Sequence, residues 1–401
     1  MSQGQGLIGD TSTGVANLGA GRSTTPDTIL NYGAVGDGVT DNAAAFRNAL
    51  AQSSHVIIPP GNYLINSTVS LGSNQALEIQ AGARIIAGVG LTNLAMFDTP
   101  VGTLVINPSI YGAGIIDCND VAGYGFWPRY YIRVAISGIR ISSALIAALK
   151  LGDTAAASRS AEAQISNISL YRPSTSSVPA SSYGILEEKS GDAQIFNAIS
   201  QGYQTGFASC AGAASAYSQC HAWSDPASGL MTQAFLDPGG CCYINCLADS
   251  PSVYGWNITS FNTVLIGGRV YCNSTVTDNT VIGIHYSQAS PVSTIHGMQF
   301  IGTAGHRLAK DTDLTVPNST FTSVGCKSTN VAAGFLTTDR VNFVQASSWF
   351  QPTGGAHIYS GTGAPTISAS SGDFWFRTDT PSTANQRLYV CTGTTNWTAI
   401  L

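Results

Sequence analysis

The sequence predicts an all-β solenoid, a single-stranded parallel β-helix, and three observations predict it. Only 10% of the 401 residues are charged while 44 are glycine, against about a quarter charged in an average soluble domain. Short β-branched runs, each followed by Asn, Gly, Asp or Ser, return at roughly 20–30-residue intervals, the period range of solenoids. No long helical pattern separates these runs, which argues against a doubly wound α/β sheet.

Residues 1–28 are polar and Gly-rich without a period, the text of a segment that does not pack by itself. Asn31 to Leu50 reads NYGAVGDGVTDNAAAFRNAL. Gly33, Gly36 and Gly38 mark a turn. Thr40 or Asp41 is the expected cap of a helix over residues 41–51, with Ala43, Phe46, Ala49 and Leu50 as its apolar stripe. His55-Val-Ile-Ile-Pro-Pro-Gly then reads as a strand stopped by a turn. The runs at Ala76, Thr103, Tyr131, Ile165, Ala193, Tyr243 and Asn262 are the expected solenoid strands. A β-sandwich would also give short strands, but with hairpin pairs such as Asn-Gly, which this stretch lacks. Each coil buries its inward side chains only against the coils above and below. The open end of the stack exposes strand edges, and the helix is the natural cover for the first coil.

The text changes near residue 346. Gly372-Asp-Phe-Trp-Phe-Arg and Arg387-Leu-Tyr-Val-Cys-Thr are aromatic-rich strands around polar turns. They predict a small β-module too short to hold an independent core. The expected division is therefore 1–28, a solenoid over 29–345, and a module over 346–401.

Net charge is −5 with 17 Lys and Arg, and no basic cluster supports binding to nucleic acid or to an anionic membrane. No apolar run approaches the roughly 18 residues of a membrane span. Residues 1–20 lack the apolar core of a secretory signal, so synthesis in a cytoplasm is the expectation. The nine cysteines read as buried thiols acting as small apolar residues. A zinc site from His221, Cys242 and Cys246 is the sharper alternative, but Cys-x3-Cys without a second pair is weak. No metal and no cofactor is expected.

The stretch from Asn31 to Asn42, the helix after it and Val56-Ile-Ile-Pro-Pro-Gly-Asn-Tyr resemble the N-terminal signature of the pectate-lyase-like superfamily. Gly112-Ala-Gly-Ile-Ile-Asp-Cys-Asn is similar to a Gly-x-Gly-x-Ile-Asp-Gly-Asn coil of the same superfamily, with Cys118 where Gly is usual. His221-Ala-Trp, Asp249, Tyr254-Gly-Trp-Asn-Ile and the Gly372 module resemble parts of bacteriophage tailspikes. The resemblance implies a right-handed β-helix, a homotrimer, and residues 1–28 holding other virion proteins. It implies a virion spike, made in the bacterial cytoplasm, that acts at the host surface on capsule, O-antigen or exopolysaccharide.

Hydrolysis of such a glycan needs two carboxylates, about 5 Å apart for retention or about 6.5–9.5 Å for inversion. Coils stack about 4.8 Å apart, so acids from distant stretches can meet on one face. Glu187 and Glu188 are the densest pair, and Asp225 and Asp237 follow beside His221. These four are the candidate catalytic acids. The plainer reading of an Asp near Gly or Pro is a solvated turn. Asp37, Asp41 and Asp117 read as turn and cap residues. Trp127, Trp223, His221 and Tyr254 are the candidate sugar contacts, since carbohydrate stacks on aromatic faces. Packing between coils or subunits is the plainer role for them. A lyase needs a base and a cationic stabiliser. The clustered Asp that hold calcium in pectate lyases proper are not seen. A depolymerising spike of hydrolase type is thus the first reading, and a non-catalytic adhesin or a structural spike subunit is the alternative.

Overall fold

The computed structural model describes residues 26–173, 178–224, 230–259, 262–287, 293–314, 321–333, 358–367, 371–379 and 387–400. The chain divides into two compact units, residues 1–171 with 188–190, and residues 172–187 with 191–401. Each is built from coils of a parallel β-helix. The expected attachment segment 1–28 falls almost wholly outside the described residues, and so does the 345/346 boundary.

In the first unit, Asp27–Thr28, His55–Ile58, Ala76–Ile79, Ser109–Gly112 and Ala135–Ser137 form one parallel ladder. Gly61–Ile65, Ala83–Ala87, Ile115–Asp117 and Arg140–Ser142 form a second. Val69–Ser70, Ala95–Asp98, Tyr124–Trp127 and Ala147–Leu151 form a third. The α-helix Ala43–Gln52 buries Ala43, Ala45, Phe46, Ala49 and Leu50. Phe46 meets Phe97 at 5.9 Å between ring centroids, and Gln75 Nε2 donates to the Leu50 carbonyl at 2.5 Å. The helix N-cap is Asn42, one residue past the expected position. The Asn42 side chain turns back to Val35, which leaves Asp41 Oδ1 to accept from the Ala43 N–H at 3.1 Å.

The second unit repeats the plan. Ala216–Ser218, Cys242–Ile244, Val264–Ile266, Ser293–His296 and Phe321–Val324 stack in register. His221–Trp223, Leu247–Asp249, Arg269–Cys272, Gln299–Gly302 and Lys327–Thr329 form the adjoining ladder. The turn between these two ladders needs one left-handed residue per coil. Gln219, Asn245, Gly267, Gly297 and Gly325 fill it, with φ between 52° and 66°. Asn and Gly tolerate that region, which is why the β-branched runs end on them. The third ladder holds Tyr183–Glu187, Thr205–Ala208, Gln233–Asp237, Tyr254–Ile258, Ile282–Tyr286 and Leu308–Leu314. Phe207 stacks on Phe235 at 5.3 Å and Phe235 on Trp256 at 4.7 Å, an aromatic column buried in the core. Ile358–Gly361, Phe374–Arg377, Leu388–Gly393 and Asn396–Ala399 form a separate four-stranded sheet with mixed pairing.

Candidate functional site

Two of the four expected catalytic acids are interior. Glu187 and Asp237 close the strands Tyr183–Glu187 and Gln233–Asp237, at 1% and 0% exposure. Glu187 accepts from the Ser215 hydroxyl at 2.9 Å and from the Tyr217 hydroxyl at 2.5 Å. Burial first, and then the nearby Glu187 charge, hold the Tyr217 phenol well above its ordinary pKa, so it remains a donor. Asp237 accepts from the Ser209 and Thr263 hydroxyls at 3.0 and 2.6 Å, and from the N–H groups of Gly239 and Cys241 at 2.8 and 3.1 Å. The expectation that these two acids line a groove is corrected. A carboxylate needs donors when it is taken from water, and these serve as acceptors that tie turns of neighbouring coils together. Asp225 lies outside the described residues. Asp37 and Asp117 do cap turns, accepting from Val39, Thr40 and Asn119 N–H groups.

Glu188 differs from Glu187. In the first unit its carboxylate pairs with Lys150 Nζ at 2.9 Å and is about one-third exposed, at 31%. The Lys150 ammonium sits 4.0 Å from the Trp127 ring centroid, and the Arg129 guanidinium carbon sits 3.6 Å from it. Arg129 also bridges Asp98 at 3.1 Å and Asp153 at 3.0 Å. Trp127 Nε1 donates to the Gly152 carbonyl at 2.7 Å. Both cations attract the ring electrostatically, so the π-surface expected to stack on sugar already carries two ligands. The cluster brings Asp98, Asp153 and Glu188 together around Trp127.

His221 and Trp223 are half-buried on one strand, with ring centroids 6.4 Å apart, and Asp249 Oδ2 is 3.9 Å from His221 Nε2. Tyr254 is on the third ladder. There Thr205, Gln233, Tyr254, Ile282 and Lys310 stack in one column, and Ala208, Leu236, Asn257, His285 and Asp313 in the next. Asn257 Nδ2 donates to Gln233 Oε1 at 2.9 Å, and Gln233 Nε2 donates to the Thr205 hydroxyl at 3.2 Å. Among the described residues Asn257 Oδ1 has no hydrogen-bond partner, and it is closed off from water. Tyr254 stacks on His285 at 4.6 Å, interplanar angle 15°. Asp313 lies 3.2 Å from His285 Nδ1 and 2.5 Å from Lys310 Nζ. Burial works to raise the Asp313 pKa, but the Lys310 and His285 contacts outweigh it and hold the carboxyl below its usual range.

Residues 28–216 match the family model described as Rhamnogalacturonase A/epimerase, pectate lyase-like. This stretch, a little under half of the chain, is similar to pectate lyase-like domains. The pre-neck appendage protein of Bacillus phage B103 is 33% identical over 90 residues, which are 21% of this chain and 9% of that protein. Plasmin and fibronectin-binding protein A of Streptococcus pneumoniae is 34% identical over 71 residues, 16% of this chain and 10% of that protein. The chain thus matches only about a tenth of the length of either relative. The tailspike protein of E. coli bacteriophage HK620, solved with a pentasaccharide, superposes with a TM-score of 0.58 at 12% identity. The match covers 77% of this chain and 64% of the tailspike.

Outside the pectate lyase-like match, Asn257, His285, Lys310 and Asp313 escaped the sequence reading. A signal for Asn257 and His285 was present. Tyr254-Gly-Trp and Ile282-Gly-Ile repeat the pattern of Tyr124-Gly-Phe, Tyr183-Gly-Ile and Thr205-Gly-Phe, which marks these five third-ladder strands. The Gly is required by space. A Cβ at Gly125 would meet Ile141 Cγ2 at 2.3 Å, and one at Gly283 would meet the Phe300 ring at 2.5 Å. Once that Gly is fixed, the residue before it and the second one after it are the half-buried surface positions at Tyr254, Asn257, Ile282 and His285.

Proposed function

We propose that this protein is the spike of a phage or phage-like particle and binds bacterial surface polysaccharide for host recognition. The observation that carries the reading is the third-ladder face of the second unit. It sets hydroxyl, amide, imidazole and phenol groups one coil apart, about 4.8 Å, along the register from Thr205 to Asp313. A linear glycan offers hydroxyl groups and apolar ring faces, and such a face answers both. The phage appendage relative and the tailspike fold support the same reading. Its test is retention of the purified chain on immobilised capsule, lipopolysaccharide and exopolysaccharide from candidate hosts. Binding to one of them is the expected result, and absence of binding to every one removes the proposal.

Depolymerisation is a second reading, favoured by the Asp98, Asp153 and Glu188 cluster. Glu188, the most exposed of the three, is the proposed acid. New reducing ends from a bound glycan, lost in Glu188→Gln, would support hydrolysis. An unsaturated uronate would instead indicate a lyase, and neither product on a bound glycan would leave an adhesin. Self-association as a trimer is proposed from Phe196, Ile199 and Ile266, apolar residues 44%, 39% and 42% exposed on the second unit. Closure around a three-fold axis would bury such residues, and light scattering should then give three times the 41.6 kDa chain mass. Attachment of residues 1–28 to other virion proteins belongs to the same proposal.

A further inference from the structure

Resting on the polysaccharide reading, we infer that the ligand of the Thr205–Asp313 face is a neutral, hydroxyl-rich or N-acetylated glycan, and that Tyr254 and His285 read it. The only cations among the named groups of this face are Lys310 and, when protonated, His285. Both already face Asp313, at 2.5 and 3.2 Å. Asp313 remains ionised because those contacts outweigh its burial. A uronate or phosphate arriving here would meet an ion pair already closed and, among the named groups, no unpaired cation. An anion that gives up water here without gaining a cation loses affinity, and such a mismatch rejects a wrong partner as effectively as new contacts favour a right one.

The amides brace the face from beneath. The ladder runs from Asn257 through Gln233 to Thr205 and leaves Asn257 Oδ1 as an acceptor without a donor. Turning both amides over exchanges this for an N–H without an acceptor, so one unmatched polar atom remains in either arrangement. Because that atom is closed off from water, it lies beneath the face and does not meet a ligand, and the amide ladder serves to hold the face in shape. The Tyr254–His285 stack adds a flat, amphipathic surface for a pyranose ring. The charge of the whole chain agrees. It carries 22 acidic against 17 basic residues, and most cations with a described ion pair are held by a carboxylate of their own.

The experiment uses the full chain on an array of bacterial polysaccharides that includes neutral repeats and repeats bearing uronate, sialate or phosphate. Hits are then titrated at about 50 mM and about 500 mM NaCl, since salt screens exposed charge pairs strongly over that range. Neutral repeats should bind, with affinity changing less than about two-fold between the two salts. Tyr254→Ala and His285→Ala should each weaken binding about ten-fold or more, the scale of losing one stacked ring contact. Gln233→Ala, at a half-buried position, is the further variant should either of those lose its melting transition. Hits confined to acidic repeats, or a loss of ten-fold or more with salt, would overturn the neutral-ligand inference and leave the polysaccharide reading intact. Wild-type affinity in folded variants would overturn the assignment to this face. No hit on any glycan would overturn the polysaccharide reading itself.

Discussion

The Thr263 hydroxyl donates to the Asp237 carboxylate across 2.6 Å, in a site where Asp237 has no exposure to solvent. Ser209 reaches the same carboxylate at 3.0 Å, so one side chain joins three stretches of the solenoid. Asp237→Ala would orphan the Gly239 and Cys241 N–H groups as well as both hydroxyls. Each buried group left unpaired costs about 1–3 kcal/mol. The expected loss is about 3–5 kcal/mol of stability, with glycan binding of the surviving folded protein unchanged. Urea unfolding followed by circular dichroism measures it. Asp237→Asn keeps one acceptor oxygen and should lie between the two proteins.

Gly283 is a test of the glycine pattern shared by five of the third-ladder strands. A Cβ there would meet the Asp311 carbonyl oxygen at 2.5 Å and the Phe300 ring at 2.5 Å. The carbonyl belongs to the backbone of the next coil and cannot swing aside. Gly283→Ala should therefore destabilise by about 1–3 kcal/mol, the usual scale of overpacking, although helix or strand propensity alone would favour Ala. A melting temperature equal to that of the parent would refute the spatial explanation.

Much of the fold was legible because its cause is local. Asn and Gly at Asn245, Gly267 and Gly297 announce left-handed turns, and the apolar stripe of residues 43–50 announces the capping helix. The third ladder was less legible, because Tyr254-Gly-Trp-Asn places its core Trp256 and its surface Asn257 side by side without strict alternation. The site was harder for the same reason that makes solenoids versatile. Whether an acid faces water depends on register with coils some 20–30 residues away, so adjacent Glu187 and Glu188 look equivalent as text. One is closed in by Ser215 and Tyr217, and the other reaches Lys150.

Acid stability should carry the mark of Asp37. Its carboxylate accepts from the Thr40 and Val39 N–H groups and the Thr40 hydroxyl, which hold its pKa down to about 2. The folded pKa lies below the unfolded value, near 4 for a free Asp. The contribution is therefore complete above about pH 4 and is lost as pH falls through about 2. Thermal melts of the parent and Asp37→Asn should differ at pH 5 to 6 and converge as the pH approaches about 2. A constant difference across that range would remove the assignment.

The thiols should divide by burial. Cys118, Cys220, Cys241, Cys246, Cys272 and Cys391 are buried, whereas Cys210, Cys242 and Cys326 are half-buried. Burial, and secondarily the Asp249 charge, push the Cys272 thiol up to about 12. Since the thiolate is the reactive form, a native-state Ellman titration near pH 8 should label no more than the half-buried three quickly. The remaining six should appear on unfolding in guanidinium. Rapid labelling of Cys272 in the native protein, mapped by mass spectrometry, would contradict the packing.

Arg129 and Glu188 separate structure from chemistry in the Trp127 cluster. The Arg129 guanidinium serves Asp98 and Asp153, whose side chains are only 8% and 13% exposed. Arg129→Ala would leave two poorly hydrated carboxylates facing each other's field, and breaking a buried pair in this way costs about 3–5 kcal/mol. It would also uncover one side of the contacts on the Trp127 ring. Glu188 loses its Lys150 pair, at a partly exposed position, and Glu188→Gln should cost less than about 1 kcal/mol. If the cluster hydrolyses a glycan, Glu188→Gln removes product formation while the melting curve and glycan binding stay near those of the parent. If the cluster is a structural brace, Arg129→Ala lowers the melting temperature sharply and Glu188→Gln changes neither binding nor product. The pair of variants, measured by calorimetry and by reducing-end assay on the same bound polysaccharide, distinguishes the two because stability and turnover respond to different residues.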